Sequence, residues 1–350
     1  MLYLVPEERS LWLALSERAM AQRLSADHGL SEMRPALRPG FRFHVAALLA
    51  AAGAVDAALP WLAAGALEEQ GNMACAYLAS FLKRHGSLAM PAVVFEDPRP
   101  YIHFTTVPTM VATRFAFREF AVRTLPRSVH PLIFMDVGCG NGTMGIELLQ
   151  HLQQSQVIPS VGQIILVDPF QAMLETAQKK AHEAFPDVPV ITINGRSQEV
   201  MATLPDGVDL TLCSLSIHHM PWEHKVPLVQ RLSQCSSELL LFELNGDHDL
   251  HELGAPELSL SLYQTYGVLI DAIFAHDTPV DEALSCVDLF LLAELVSLLT
   301  EPRGKRTEYH MTPEQWRRLC EQEAGCRLAG MEVCLAGNGS ELFGQHYRRR

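Results

Sequence analysis

The chain is 350 residues long, 48% hydrophobic, and carries a formal net charge of −13. That length and apolar content allow one large domain or two modest ones around a sizeable core. The acidic balance argues against a nucleic-acid substrate, because gripping phosphates needs a basic face. The terminal arginines, Arg348 to Arg350, are too small a tail to change that. Eight cysteines are scattered without a C-x-x-C pair, which predicts reduced thiols in a cytoplasmic protein and neither a disulfide framework nor a zinc knuckle.

The start, MLYLVPEERS, has no basic opening, and acids arrive at Glu7 and Glu8, so no signal peptide is expected. Residues 1–98 read as a helical cap. Pro6 suits the first turn of a helix running to about Ser25. Further helices are predicted over Phe41–Ala52, Val55–Ala64 and Met73–His85. The most apolar stretch, Val45 to Leu67, is interrupted by Gly53, Asp56, Pro60 and Gly65. Two short packed helices fit it better than a membrane span.

The remainder, 99–350, begins with a segment over 99–128 that reads as a lid. In FEDPRPYIHFTTVPTM the prolines break a helix, and Tyr101, His103 and Phe104 are expected on a loop before a helix starting near Val107. Tyr101 and Phe104 could meet a cation through their ring faces, and His103 could act on a substrate proton. The alternative is that they staple the cap to the core.

Pro131 to Leu149 reads strand, glycine loop, helix. The apolar run Leu132 to Met135 suits a buried parallel strand. Asp136, Gly138, Cys139, Gly140, Asn141 and Gly142 then form a tight turn into a helix starting near Thr143. The spacing is G-x-G-x-G, not the dinucleotide G-x-G-x-x-G. A carboxylate at Asp136 would repel a pyrophosphate but suits a ligand bearing an ammonium group, such as S-adenosylmethionine. The next predicted strand, GQIILVDPF, ends at Asp168 with Phe170 beside it. An acid at that tip accepts hydrogen bonds from both hydroxyls of a ribose.

DVGCGNG followed by LVDPF resembles the class I S-adenosylmethionine-dependent methyltransferases. The resemblance implies a Rossmann-like seven-stranded sheet and S-adenosylmethionine as cofactor. It also implies that a polar residue after the third strand holds the adenine. Here Arg196 stands where an Asp is common, leaving Ser197 or Gln198 for that contact.

The fourth strand, Val208 to Leu215, leads into SIHHMPWEH. Strand ends carry function in open α/β sheets, so Ser214, Ser216, His218 and His219 are expected beside the cofactor. Either histidine could take a proton as the methyl group transfers. His218, His219 and His224, or Asp247, His248, Asp249 and His251, do not meet a zinc spacing, and no metal is expected. The fifth strand ends at Glu243, which with Asn245 could hold a substrate amine or hydroxyl. A helical insertion over about 255–300 offers Tyr263 and Tyr266 to the substrate. A helix after Thr312 and an antiparallel strand pair close the chain.

A fainter resemblance runs from about Phe95 to the end. YIHFTT, LFELN, SLYQTYGVLIDAIF and RTEYHMTPEQWRRLCEQEAG are similar to GRAS-domain proteins, plant regulators with bacterial relatives. The intact DVGCGNG loop favours a working cofactor site over a regulatory scaffold. The reading is therefore methyl transfer to an O or N of a small molecule in a biosynthetic pathway, with no nucleic-acid or membrane partner. Two alternatives stay open. One is non-methyl chemistry of S-adenosylmethionine, by cyclisation or aminocarboxypropyl transfer with release of methylthioadenosine. The other is a GRAS-like protein that binds a ligand without turnover. Nothing in the sequence fixes an oligomeric state.

Overall fold

Leu132–Val137 forms the first strand, β1, and is buried on nearly every residue. In the computed structural model, which describes residues 2–26, 30–89, 99–335 and 342–350, six more strands follow. They are β2 (Val161–Asp168), β3 (Val190–Asn194), β4 (Val208–Ser214), β5 (Ser236–Leu244), β6 (Cys326–Leu335) and β7 (Leu342–Arg349). Together they make one sheet in the order β3-β2-β1-β4-β5-β7-β6. The pairs among β1 to β5 are parallel; β7 runs antiparallel to both β5 and β6.

β1, β2, β4 and β5 are buried along most of their length, as in a parallel sheet covered by helices, whereas β3 at the sheet edge is half-buried or exposed. Thr143–Gln154 follows β1, Gln171–Ala184 follows β2, and Trp222–Cys235 leads into β5. A core of Met135, Val167, Leu232, Leu241, Trp316 and Tyr347 is buried between sheet and helices. The helix Pro313–Arg318 starts as expected: the Thr312 hydroxyl accepts the Gln315 amide at 3.2 Å, and the Gln315 side chain answers the Thr312 amide at 2.7 Å. Such a capping box satisfies two otherwise orphaned donors.

From β1 the chain order runs outward both ways, to β2 and β3 on one side and to β4 and β5 on the other. The carboxyl ends of β1 and β4 therefore flank the place where an open α/β sheet binds its ligand.

Compactness divides the chain differently from the expected boundary at 98/99. One unit comprises the described residues of Met1–Val111 and Gly246–Tyr309. The sheet lies in the other, Ala112–Asn245 with His310–Leu335 and the last strand. The insertion packs with the N-terminal helices. Asn72 donates to the Tyr263 carbonyl at 2.9 Å, in space that a side chain at Gly267 would fill. The Tyr77 hydroxyl donates to Asp288 at 2.6 Å, and Arg84 pairs with the same carboxylate. The expected N-terminal helices are present as Pro6–Met20, Arg38–Ala51, Val55–Ala66 and Ala74–His85. The insertion runs Pro256–Phe274, then Val280 to Thr300 through a π turn at Val287–Leu291. By length and composition Val280–Thr300 could cross a membrane, but most of it is buried inside the fold.

Two readings need correction or lie out of view. Tyr101, His103 and Phe104 are not on a loop but on the helix Arg99–Thr106. Pro100 falls in its first turn, where a missing N–H costs nothing. Residues 95–98, which open the stretch FEDPRPYIHFTTVPTM, and 336–341, between β6 and β7, lie outside the described residues.

Candidate active site

The glycine loop is held against β2: the amides of Gly138 and Cys139 both donate to the Val167 carbonyl, at 2.8 and 3.0 Å. Gly138 has φ +72°, and a Cβ there would overlap the Ser216 side chain. That close approach ties the loop to the residues after β4. Asn141 accepts the Thr143 amide at 3.1 Å, ordering the entry to the helix.

Asp168 caps β2. One carboxylate oxygen accepts the Gly140 amide at 2.8 Å and the other the Phe170 amide at 2.9 Å. Burial pushes its pKa up, and these amides and the nearby His219 partly offset the shift. Asn194, at the end of β3, braces the turn by donating to the carbonyls of Asp168 and Pro169 at 3.2 and 3.1 Å. Nothing in the residues around Asn194 singles it out.

Asp136 is 1% exposed, and neither carboxylate oxygen has a hydrogen-bond partner among the described residues. Burial, reinforced by the charge of Asp168, pushes its pKa up to about 8. An orphaned buried carboxylate is costly, and it marks where a ligand donor belongs. Asp136 and Asp168 thus present carboxylate acceptors for an ammonium and for ribose hydroxyls. This donor set fits S-adenosylmethionine.

The raised pKa has a consequence for stability. The unfolded chain releases this proton near 3.8, whereas the ligand-free fold holds it to about pH 8. The stability the group contributes is complete below pH 3.8 and is lost as pH rises through about 8. Urea denaturation of the cofactor-free protein should show Asp136→Asn gaining on the wild type from pH 5 to 8.5. Parallel pH curves for the two would show that Asp136 is ionised throughout.

After β4 the chain bends sharply. Leu215 adopts φ +49°, the left-handed region a branched residue rarely enters, with its amide held by Phe242 at 2.8 Å. The bend turns Ser216 to His219 toward β5. The Ser216 hydroxyl donates to Val137 at 2.7 Å, and its amide donates to Glu243 at 3.3 Å. His218 Nδ1 lies 2.7 Å from the other Glu243 oxygen. His218 and Glu243 are buried, at 5% and 0% exposed. The ring of His310, which enters from just before the Thr312 cap, lies 4.1 Å from the His218 ring. His219 is exposed and its ring is 4.3 Å from that of His218.

The predicted residues thus fall into two groups. Asp136, Gly138, Cys139, Gly140, Asn141, Gly142, Asp168, Phe170, Ser214, His218, His219, Glu243 and Asn245 belong to the sheet unit. So do Arg196, which is exposed, and Ser197 and Gln198, which are half-buried after β3. Tyr101, His103, Phe104, Tyr263 and Tyr266 belong to the helical unit. There Tyr101 and Phe104 pack on Phe290, with ring centroids 5.7 and 5.1 Å away. His103 stacks on His276 at 5.9 Å, with Glu282 3.9 Å away. Tyr263 is buried, and the Tyr266 hydroxyl donates to Glu294 at 3.0 Å.

Residues 134–237 match a family model described as a methyltransferase domain. Among solved structures the chain is similar to SCL7 of Oryza sativa, at 14% identity and a TM-score of 0.62, over 87% of this chain and 99% of that one. It is also similar to the magnesium protoporphyrin IX methyltransferase ChlM of Synechocystis PCC 6803, solved with bound SAH. That similarity has 15% identity and a TM-score of 0.41, over 71% of this chain and 86% of that one. No curated protein matches the sequence. Residues 134–237, which run from within β1 to the start of β5, are therefore similar to a methyltransferase domain, set in a seven-stranded sheet whose fold is shared with SCL7.

Proposed function

We propose that the chain methylates an oxygen or nitrogen of a small molecule, in a biosynthetic pathway. Asp136, the loop from Gly138 to Gly142 and Asp168 hold the cofactor, and Phe170, Arg196, Ser197 or Gln198 border the adenine. When bound, the cofactor supplies an electrophilic methyl group on a sulfonium. The chain's own contribution is to orient the acceptor, exclude water from it and receive its proton. Orientation and desolvation together are worth several kcal/mol in such reactions.

The observation that supports this reading best is the buried pairing of His218 with Glu243 at 2.7 Å, at the carboxyl ends of β4 and β5. A carboxylate fixes the imidazole's tautomer and favours its uptake of a proton. An O–H or N–H acceptor has a proton to lose, so a polar cluster there has a task. The net charge of −13 supports a small acceptor over a nucleic acid.

Cell extract separated by size and offered with methyl-labelled S-adenosylmethionine tests the reading. Label is expected in the low-mass fraction, with Glu243→Gln lowering the rate by about 10²-fold or more, the scale of a positioned base. Label confined to protein or nucleic acid would overturn it.

A further inference from the structure

His218, Glu243 and His310 each place one ligand atom within 4.8 Å of the other two, and all three side chains are buried. They come from three separate stretches of the sheet unit: the turn Ile217–His219, β5, and the segment just before the Thr312 cap. His218 Nδ1 is 2.7 Å from the Glu243 carboxylate, and the His218 and His310 rings lie 4.1 Å apart, inclined by 33°.

The cluster offers two imidazole nitrogens and one carboxylate oxygen. Hard ions such as magnesium prefer oxygen shells, whereas two imidazoles with one carboxylate suit zinc or ferrous iron. Three protein ligands also leave positions open on the ion, as reactive sites require and structural zinc sites do not.

We propose that His218, Glu243 and His310 bind a divalent transition-metal ion that holds the acceptor. The inference rests on the methyl-transfer reading and deepens it. An acceptor hydroxyl bound to such an ion gives up its proton to water at lower pH, and His218 and Glu243 then serve as ligands. The cluster then acts on the acceptor through the ion, and the ion orients the oxygen it holds.

The purified chain, stripped with a chelator, is titrated with zinc by calorimetry and with cobalt(II) by visible absorption. The expected result is one ion per chain, with the visible bands of a nitrogen-ligated cobalt ion. His310→Ala should weaken binding by about a hundredfold or more, since affinity resides in the complete ligand set. Should that variant fail to fold, Glu243→Gln, of the same shape, is expected to show the same loss. Substoichiometric binding, or equal affinity in wild type and both variants, would overturn the site. A parallel titration of the stripped wild type with S-adenosylmethionine separates the two ideas. Cofactor binding without ion binding sinks the metal site alone; ion binding without cofactor binding sinks the methyl-transfer reading on which its role rests.

Discussion

Replacing Asp168 by alanine is expected to weaken S-adenosylmethionine binding by about a hundredfold or more. The carboxylate sits at the tip of β2, 6% exposed, already anchored by the amides of Gly140 and Phe170. Each of its oxygens keeps lone-pair capacity for one ribose hydroxyl. A hydrogen bond to a charged group contributes about 1.5–3 kcal/mol. Two such bonds amount to about 3 kcal/mol at the low end, and about 1.4 kcal/mol is a factor of ten in affinity. The substitution also strips the Gly140 amide of its acceptor, so the loop loses definition as well. Asp168→Asn, which keeps one acceptor oxygen, should recover part of the loss. Calorimetric titration of the three proteins measures the series. Unchanged affinity in Asp168→Ala would remove this residue from the cofactor site.

Gly138→Ala is expected to destabilise the fold by about 2–5 kcal/mol and to abolish cofactor binding. The left-handed backbone at φ +72° costs any residue with a Cβ roughly 1–2 kcal/mol. The new methyl would also overlap Ser216, and overpacking costs about 1–3 kcal/mol. Ser216 cannot simply withdraw, because its hydroxyl is bound to Val137 and its amide to Glu243. Moving it would drag the turn that carries His218. The double variant Gly138→Ala with Ser216→Gly removes the overlap but not the backbone strain, and is expected to regain about half the lost stability. Denaturant midpoints compare them. No regain would mean that the strained backbone alone sets the cost.

The stretch from Leu132 to Asp168 was legible because its determinants are local. An apolar run, a glycine turn and an acid at each strand tip fix that unit within forty residues, and the structure follows it strand by strand. The pairing of His218 with Glu243 was half legible. Each stood out as a polar residue at a strand end, but their contact depends on β4 lying beside β5 and on the bend at Leu215. His310 was not legible. Nothing in EYHM marks it, and it reaches His218 only through the tertiary fold. His218, Glu243 and His310 lie 25 and 67 residues apart along the chain, so no local spacing reveals their grouping. The loop expected at Tyr101 to Phe104 is a helix because Pro100, which reads as a breaker, stands in the first turn, where proline helps a helix to start. The 98/99 boundary assumed that a unit is continuous in sequence, whereas residues 256–300 return to pack on the N-terminal helices.

The most direct test incubates the purified protein with S-adenosylmethionine, alone and with the low-mass fraction of a cell extract, and weighs the adenosine product. The account predicts S-adenosylhomocysteine, formed only when the extract is present and lost in Asp168→Ala. Methylthioadenosine formed without any acceptor would contradict it and place the chemistry within the amino-acid tail of the cofactor itself.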